Sequence, residues 1–149
     1  MQKQDGPLLK RKNGFMRVNF EHPIDWHVCF SDGTDKWWQK FLKRGFRHCW
    51  AFGYDPTGKC WLIVEPTWTH LVIRAFNENE FTPWIMKAQE EGPIIHQIKK
   101  NGPMRKSRLM LTCVSQIAYL VGLDLFPLTP WRLFCALCKA GGKRTFIPI

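Results

Sequence analysis

The stretch Gly45-Phe-Arg-His-Cys-Trp-Ala-Phe-Gly-Tyr54, then Asp55-Pro-Thr-Gly58, then Lys59-Cys-Trp-Leu-Ile-Val-Glu-Pro66, decides the fold. The outer runs are rich in aromatic and β-branched residues, and the middle is a turn signal, so the segment predicts a β-hairpin. A four-residue loop over Asp55–Gly58 pairs Tyr54 with Lys59 and sets His48 opposite Glu65. Directly opposed residues share a sheet face, with Cβ atoms about 4.5–5.5 Å apart. A carboxylate there can accept the imidazole N–H, fix its tautomer and stabilise its charged form. A slip of one residue would place Glu65 on the other face.

Outward from the hairpin, Trp68-Thr-His-Leu-Val-Ile-Arg-Ala-Phe76 reads as a third consecutive strand, making the centre a meander. His70 and Val72 alternate onto one face there, so His70 is the reserve polar partner for His48. Upstream, Phe15–Phe20 and Asp25–Phe30 read as short strands, and Thr34 or Asp35 caps a helix that runs to Arg44 and stops at Gly45. Downstream, Thr82-Pro83 opens a helix to Gly92, Ile94–Ile98 is a short strand, and Thr129-Pro130 caps a last helix ending near Gly141-Gly142.

Between these lies Thr112-Cys-Val-Ser-Gln-Ile-Ala-Tyr-Leu-Val-Gly122. Val114, Ile117, Ala118 and Val121 recur at helical spacing, Thr112 is an N-cap and Gly122 a stop. Cys113 therefore stands in the first turn, among backbone N–H groups without intrahelical partners and at the positive end of the helix dipole. That setting favours the nucleophilic thiolate. Alone, such a cysteine is more often a small core residue; His48 and Glu65 give it the partners of a catalytic thiol. Of the other histidines, His22 falls in a turn beside Pro23, His27 is half-buried in a strand, and His96 has no evident partner.

Strands and helices segregate along the chain, which predicts an α+β domain: a small antiparallel sheet with the nucleophile-bearing helix packed on it. Residues 1–12 read as a basic, mobile arm, 13–142 as the single domain and 143–149 as a C-terminal tail. With 149 residues, 45% of them hydrophobic, the chain can bury a real core. No apolar stretch approaches the ~20 residues needed to span a bilayer, and Met1–Lys12 lacks the apolar core of a signal peptide. Synthesis in the cytoplasm, with thiols reduced, is the expectation for Cys29, Cys49, Cys60, Cys113, Cys135 and Cys138. Cys135-Ala-Leu-Cys138 has the spacing of half a zinc site that His27 and Cys29 could complete. It lies in an apolar run without a second such pair, and two core thiols one helical turn apart is the simpler reading. No motif requires a metal or an organic cofactor.

A net charge of +10 points to an anionic partner: nucleic acid, phospholipid, an acidic cell-wall polymer or an acidic protein surface. Basic residues gather at Lys10–Lys12, at Lys36, Lys40, Lys43 and Arg44, at Lys99, Lys100, Arg105, Lys106 and Arg108 around Asn101-Gly102-Pro103, and at Lys143 and Arg144. No zinc finger, RNA-recognition signature or Walker loop makes nucleic acid specific.

The order of a His, an acidic residue on the next strand, and a Cys opening a helix resembles the circularly permuted papain-like fold. That group includes permuted NlpC/P60 proteins and relatives of lecithin–retinol acyltransferase. The similar patterns are Gly45-Phe-Arg-His-Cys-Trp-Ala-Phe52, Trp61-Leu-Ile-Val-Glu-Pro66 and Thr112-Cys-Val-Ser-Gln-Ile-Ala118, with Leu128-Thr-Pro-Trp-Arg-Leu133 after the last; together they span residues 44–140. The resemblance implies a cysteine hydrolase or acyltransferase acting on an amide or ester bond, in a cell-wall peptide or a lipid, through a thioester. It assigns Cys113 as nucleophile, His48 as general base and Glu65 as orienting residue. The Cys113 N–H supplies one oxyanion donor, with Gln116 and Tyr119 as candidates for the second. The competing reading is a non-enzymatic structural or assembly protein on the same scaffold, such as a virion component that packs against protein partners and contacts nucleic acid. Fold alone does not decide between them. Trp37-Trp38 and the Trp131 region would then be interface anchors.

Overall fold

The structure, a computed structural model, describes residues 10–12, 15–17, 24–33, 37–67, 70–97, 112–123 and 128–145. It is α+β. A six-stranded antiparallel sheet is built from β3 (Trp26–Ser31), β4 (His48–Asp55), β5 (Cys60–Pro66), β6 (Leu71–Phe76), β7 (Ile94–Gln97) and β8 (Lys143–Arg144). Their order across the sheet is β6-β5-β4-β3-β7-β8. A separate ribbon pairs β1 (Lys10–Lys12) with β2 (Phe15–Arg17). The three helices are α1 (Glu78–Glu91), α2 (Cys113–Leu120) and α3 (Pro130–Lys139).

Period-two alternation buries the sheet on both faces. Trp26, Val28, Phe30, Cys49, Ala51, Leu62, Val64 and Ile95 turn to one side, where Val114, Ile117, Ala118 and Val121 of the α2 segment and Leu133 and Leu137 of α3 cover them. Cys29, Trp50, Phe52, Ile63 and Ile94 turn to the other, under Phe81, Ile85 and Ala88 of α1. The result is three layers, so α2, the helix that Cys113 opens, packs on the sheet, with a further helix on the opposite face.

The expected meander is present as β4-β5-β6, but its register differs by two residues. Tyr54 pairs with Trp61 and Asp55 with Cys60. The Asp55 side chain accepts from the Thr57 N–H at 2.9 Å, which keeps Asp55 at the strand end and moves the turn to residues 56–59. Lys59 takes the positive φ of 51°. A slip of two preserves the face; the paired residues end at Ala51 and Val64, and the same register carried one step on would set Glu65 nearest Trp50 rather than His48.

Other boundaries also move. Lys10–Lys12 are the strand of a ribbon rather than the end of an arm, and Lys143–Arg144 are the last sheet strand rather than tail. The helix expected up to Arg44 is a short 3₁₀ turn, Trp37–Phe41. The α1 helix starts at Glu78, not at Thr82-Pro83, because Asn77 and Glu80 form a capping box. Pro83 lies inside it, and the Thr82 hydroxyl donates to the Glu78 carbonyl at 3.0 Å. The third meander strand starts at Leu71, since Thr67 and His70 close a turn with an N–H to carbonyl bond of 2.8 Å. The expected caps at Thr34 and Asp35, Lys36, His22, Trp68, Ile98, residues 1–9 and 18–20, and the basic loop Lys99–Arg108 fall outside the described residues.

Two features carry measurable consequences. The Gly92 N–H caps α1 through the Ala88 carbonyl at 3.3 Å, and a Cβ there would collide with the Phe30 carbonyl oxygen. Gly92→Ala is expected to lower stability by about 1–3 kcal/mol in chemical denaturation, because backbone must move. His27 stacks on Phe52 and His96 at 4.8 and 4.5 Å. Burial first, then the His96 charge, lowers its pKa from 6.5 to about 4. Between those values the unfolded chain holds more protons than the folded one, so this site's contribution to stability falls as pH drops from 6.5 towards 4. His27→Phe is expected to flatten that part of the melting-temperature profile against pH.

Candidate active site

Thr112 fixes the start of α2. Its hydroxyl accepts from the Ser115 N–H at 3.2 Å, and the Ser115 hydroxyl accepts from the Thr112 N–H at 3.0 Å. This reciprocal capping box leaves Cys113 and Val114 as the first two helical residues, and both line a cleft of about 1010 Å³. Their N–H groups are among those an α-helix leaves without intrahelical partners.

His48 opens β4 at the same end of the sheet and also lines the cleft. The loop before it is tied down: Asp32 accepts from the Gly45 N–H at 2.5 Å and lies 3.8 Å from Arg47, while the Arg47 N–H donates to the Ser31 carbonyl at 2.9 Å. Cys113 meets three groups of β4. Its pKa falls from 9.0 to about 5, with the Cys49 side-chain hydrogen bond as the largest cause. Burial opposes the shift; the His48 side-chain hydrogen bond and charge, and the Cys49 backbone, add to it. Cys49 is fully buried, which raises its own pKa, so it stays a thiol and donates. The geometry thus brings Cys113 and His48 together, with Cys49 as an unanticipated third member.

Glu65 lines the same cleft, but its carboxylate lies 3.6 Å from the Arg74 guanidinium, which also sits over Trp84 at 5.3 Å. Among the described residues no hydrogen bond or ion pair joins Glu65 to His48. His70 is exposed in the turn before β6 and does not line the cleft. Gln116 and Tyr119 do not line it either. Gln39 does, and it is only 5% exposed. It sits across Gly33 from His48: a Cβ on Gly33 would lie 3.0 Å from both the Gln39 Nε2 and the His48 Cβ. Its amide thus belongs to the cleft wall beside His48. Its sequence signal was weak, because Gln39 sat unremarked inside an expected helix.

Among the described residues the cleft's charged lining is Asp32, Glu65, Glu90 and Glu91 with Arg47 and Lys87. Leu42, Trp50, Ile63, Trp84 and Leu128 supply apolar wall. The half zinc site does not assemble: Cys29 lies under α1, whereas Cys135 and Cys138 ride on α3 across the sheet. Cys138 is exposed and Cys135 intermediate, so they are not core thiols. Among the described residues no group of three or more His, Cys, Asp or Glu could hold a metal ion, and no helix is long and apolar enough to cross a membrane.

Comparison with protein-family models, curated proteins and solved structures finds no match to this chain.

The thiol makes a direct prediction. Alkylation of Cys113, followed by peptide mapping, is expected to be half-maximal near pH 5 and flat from pH 6.5 to 8. Cys49→Ala and His48→Ala should each move that midpoint upward towards 9.0. Midpoints unchanged in both variants would remove the electrostatic account of the site.

Proposed function

We propose that this protein is a cysteine hydrolase or acyltransferase that attacks an amide or ester carbonyl and passes through a thioester on Cys113. The observation that carries this reading is the low-pKa Cys113 thiol at the first turn of α2, beside His48, in an open cleft. Cys113 stands as the thiolate before substrate arrives, its proton passed to His48, and it adds to the carbonyl carbon. The oxyanion develops near the first N–H groups of α2, where fixed donors stabilise it without reorganisation, and Gln39 is our candidate for the second donor. His48 then protonates the leaving amine or alcohol, and water or another acceptor resolves the thioester.

Glu65 takes the orienting role in this scheme. It sits on the sheet face of His48, and diagonal cross-strand neighbours about 7–8 Å apart remain within reach of long side chains. Its ion pair with Arg74 holds it in place beside the histidine strand. The arrangement of sheet, histidine strand and nucleophile helix supports a permuted papain-like architecture as the fold reading. Cell-wall peptides and acyl lipids remain the substrate classes. The net charge of +10 suits an anionic polymer or lipid surface as the setting of such a substrate.

A second reading, an assembly protein such as a virion component, is favoured by one feature. Trp37 and Phe41 are 73% and 83% exposed on the 3₁₀ turn, beside exposed Lys40, Lys43 and Arg44. Trp131 does not join them: it packs on Phe46 and Phe134, with Lys43 over its ring at 3.1 Å.

Incubation with an activated ester such as p-nitrophenyl acetate, read by intact mass and by nitrophenolate release, separates the two. The hydrolase reading expects a burst and an acyl adduct on Cys113. It also expects loss of both in Cys113→Ala, a fall of about 10²–10⁴-fold in His48→Ala, and a smaller fall in Glu65→Gln. An absent adduct in folded protein would leave the assembly reading.

A further inference from the structure

Acyl transfer uses Cys49 only as a hydrogen-bond donor to the Cys113 thiolate, a task a hydroxyl could also serve, yet the group placed there is a second thiol. It follows His48 on β4 with its side chain on the opposite face, fully enclosed beneath α2. Cys113 packs against the cluster that contains it and lines one cleft with His48, the residue next to Cys49 on β4, and the Cys49 thiol is the group that most lowers the Cys113 pKa. An alanine or valine would fill the site without polar atoms, as Ala51 and Val64 do beside it. No other described cysteine is so placed. Cys29 is enclosed on the α1 face, Cys60 begins β5 at the far end of the sheet, and Cys135 and Cys138 ride on α3. All six thiols are free.

The geometry points to a reversible oxidation site: a peroxide oxidises Cys113 to a sulfenic acid, and Cys49 resolves it as an intramolecular Cys49–Cys113 disulfide. The inference uses the thiol of the proposed active site but not its acyl chemistry. In the first step the Cys113 thiolate sulfur attacks one peroxide oxygen, the O–O bond breaks, and the leaving hydroxide takes a proton to become water. In the second, the Cys49 sulfur attacks the sulfenic sulfur, the S–S bond forms and the S–O bond breaks. The departing hydroxide carries away the Cys49 proton as a second water. Each sulfur gives up one electron, and the peroxide takes both. A dithiol reverses the bond by exchange.

The partner's burial suits this role. Cys49 needs no access to solvent, because its target is the neighbouring sulfur, and enclosure protects it from oxidants that reach Cys113 through the cleft. A bond of about 2.05 Å between the two sulfurs requires their Cα atoms to stand within about 4.4–6.8 Å of each other, the condition that the mapping experiment tests. While the bond stands, Cys113 cannot act as a nucleophile. It is also kept from the irreversible steps of the oxidation ladder.

The test is peptide mapping of the full chain after treatment with a small excess of hydrogen peroxide, quenched with N-ethylmaleimide. The expected product is a linked pair of peptides carrying Cys49 and Cys113, lost on dithiothreitol with return of alkylatable Cys113. In Cys49→Ser and Cys49→Ala, treated above the alkylation midpoint of Cys113 in each variant and compared with wild type at the same pH, the expected product is Cys113 sulfinic acid, raised at least about tenfold. The wild-type map decides the matter even where a variant fails to fold. Cys113 sulfinic acid beside free Cys49, or a disulfide from Cys113 to any other cysteine, overturns this inference and leaves the hydrolase reading intact. Cys113 untouched by peroxide overturns it too, and also counts against the reactive thiol on which the hydrolase reading depends.

Discussion

The packing of Val114, Ile117, Ala118 and Val121 on Cys49, Ala51 and Val64 fixes where the thiol of Cys113 sits, and the rest of the site depends on it. Both faces of the sheet are covered by helices, so strand ends and edges are what remain for a cleft. The apolar stripe of α2 sets its rotation, and the Thr112–Ser115 box sets where it begins. Together they leave the first turn at the end of β4, where His48 starts the strand. Burial would by itself raise the thiol pKa; the donors on β4 reverse that sign. The low pKa thus belongs to the docking of helix on strand, more than to the short α2 dipole.

Much of this was readable from the chain. The helix after Thr112 declared itself by an N-cap, an apolar stripe and a glycine with φ of +73° at its end. The β4–β5 hairpin declared itself by aromatic and β-branched runs around a turn. The register was harder, because it hung on which residue ended the strand. Asp55 folds its carboxylate back onto Thr57, a local bond that the hydrophobic pattern does not encode. An error of two residues kept Glu65 on the right face but set it opposite the wrong neighbour.

What could not be read were contacts made at long range. Cys49 looks in sequence like any alternating core residue, and only the approach of α2 from elsewhere in the chain makes it a partner for Cys113. Gln39 was hidden for the same reason, since its neighbours Gly33 and His48 come from two other segments. The strand at Lys143–Arg144 has no hydrophobic signature; it pairs with Ile95 and His96 as a short charged edge. Such edges are consistent with a sheet that discourages further strand addition at that side. Net charge is a coarse guide in another way, for a sum over the chain says little about one cleft, whose described lining holds carboxylates as well as cations.

The order in which the sheet is assembled gives the docking of α2 a kinetic meaning. The meander of β4, β5 and β6 is made of neighbours in sequence, whereas α2 reaches β4 only across β5, β6, α1 and β7. Contacts that close long loops are costly to form before others support them. The half of the molecule holding His48 can therefore take shape while Cys113 is still an ordinary cysteine, exposed and weakly acidic. The low pKa of the Cys113 thiol is thus a property of the docked helix, absent wherever α2 stands away from β4.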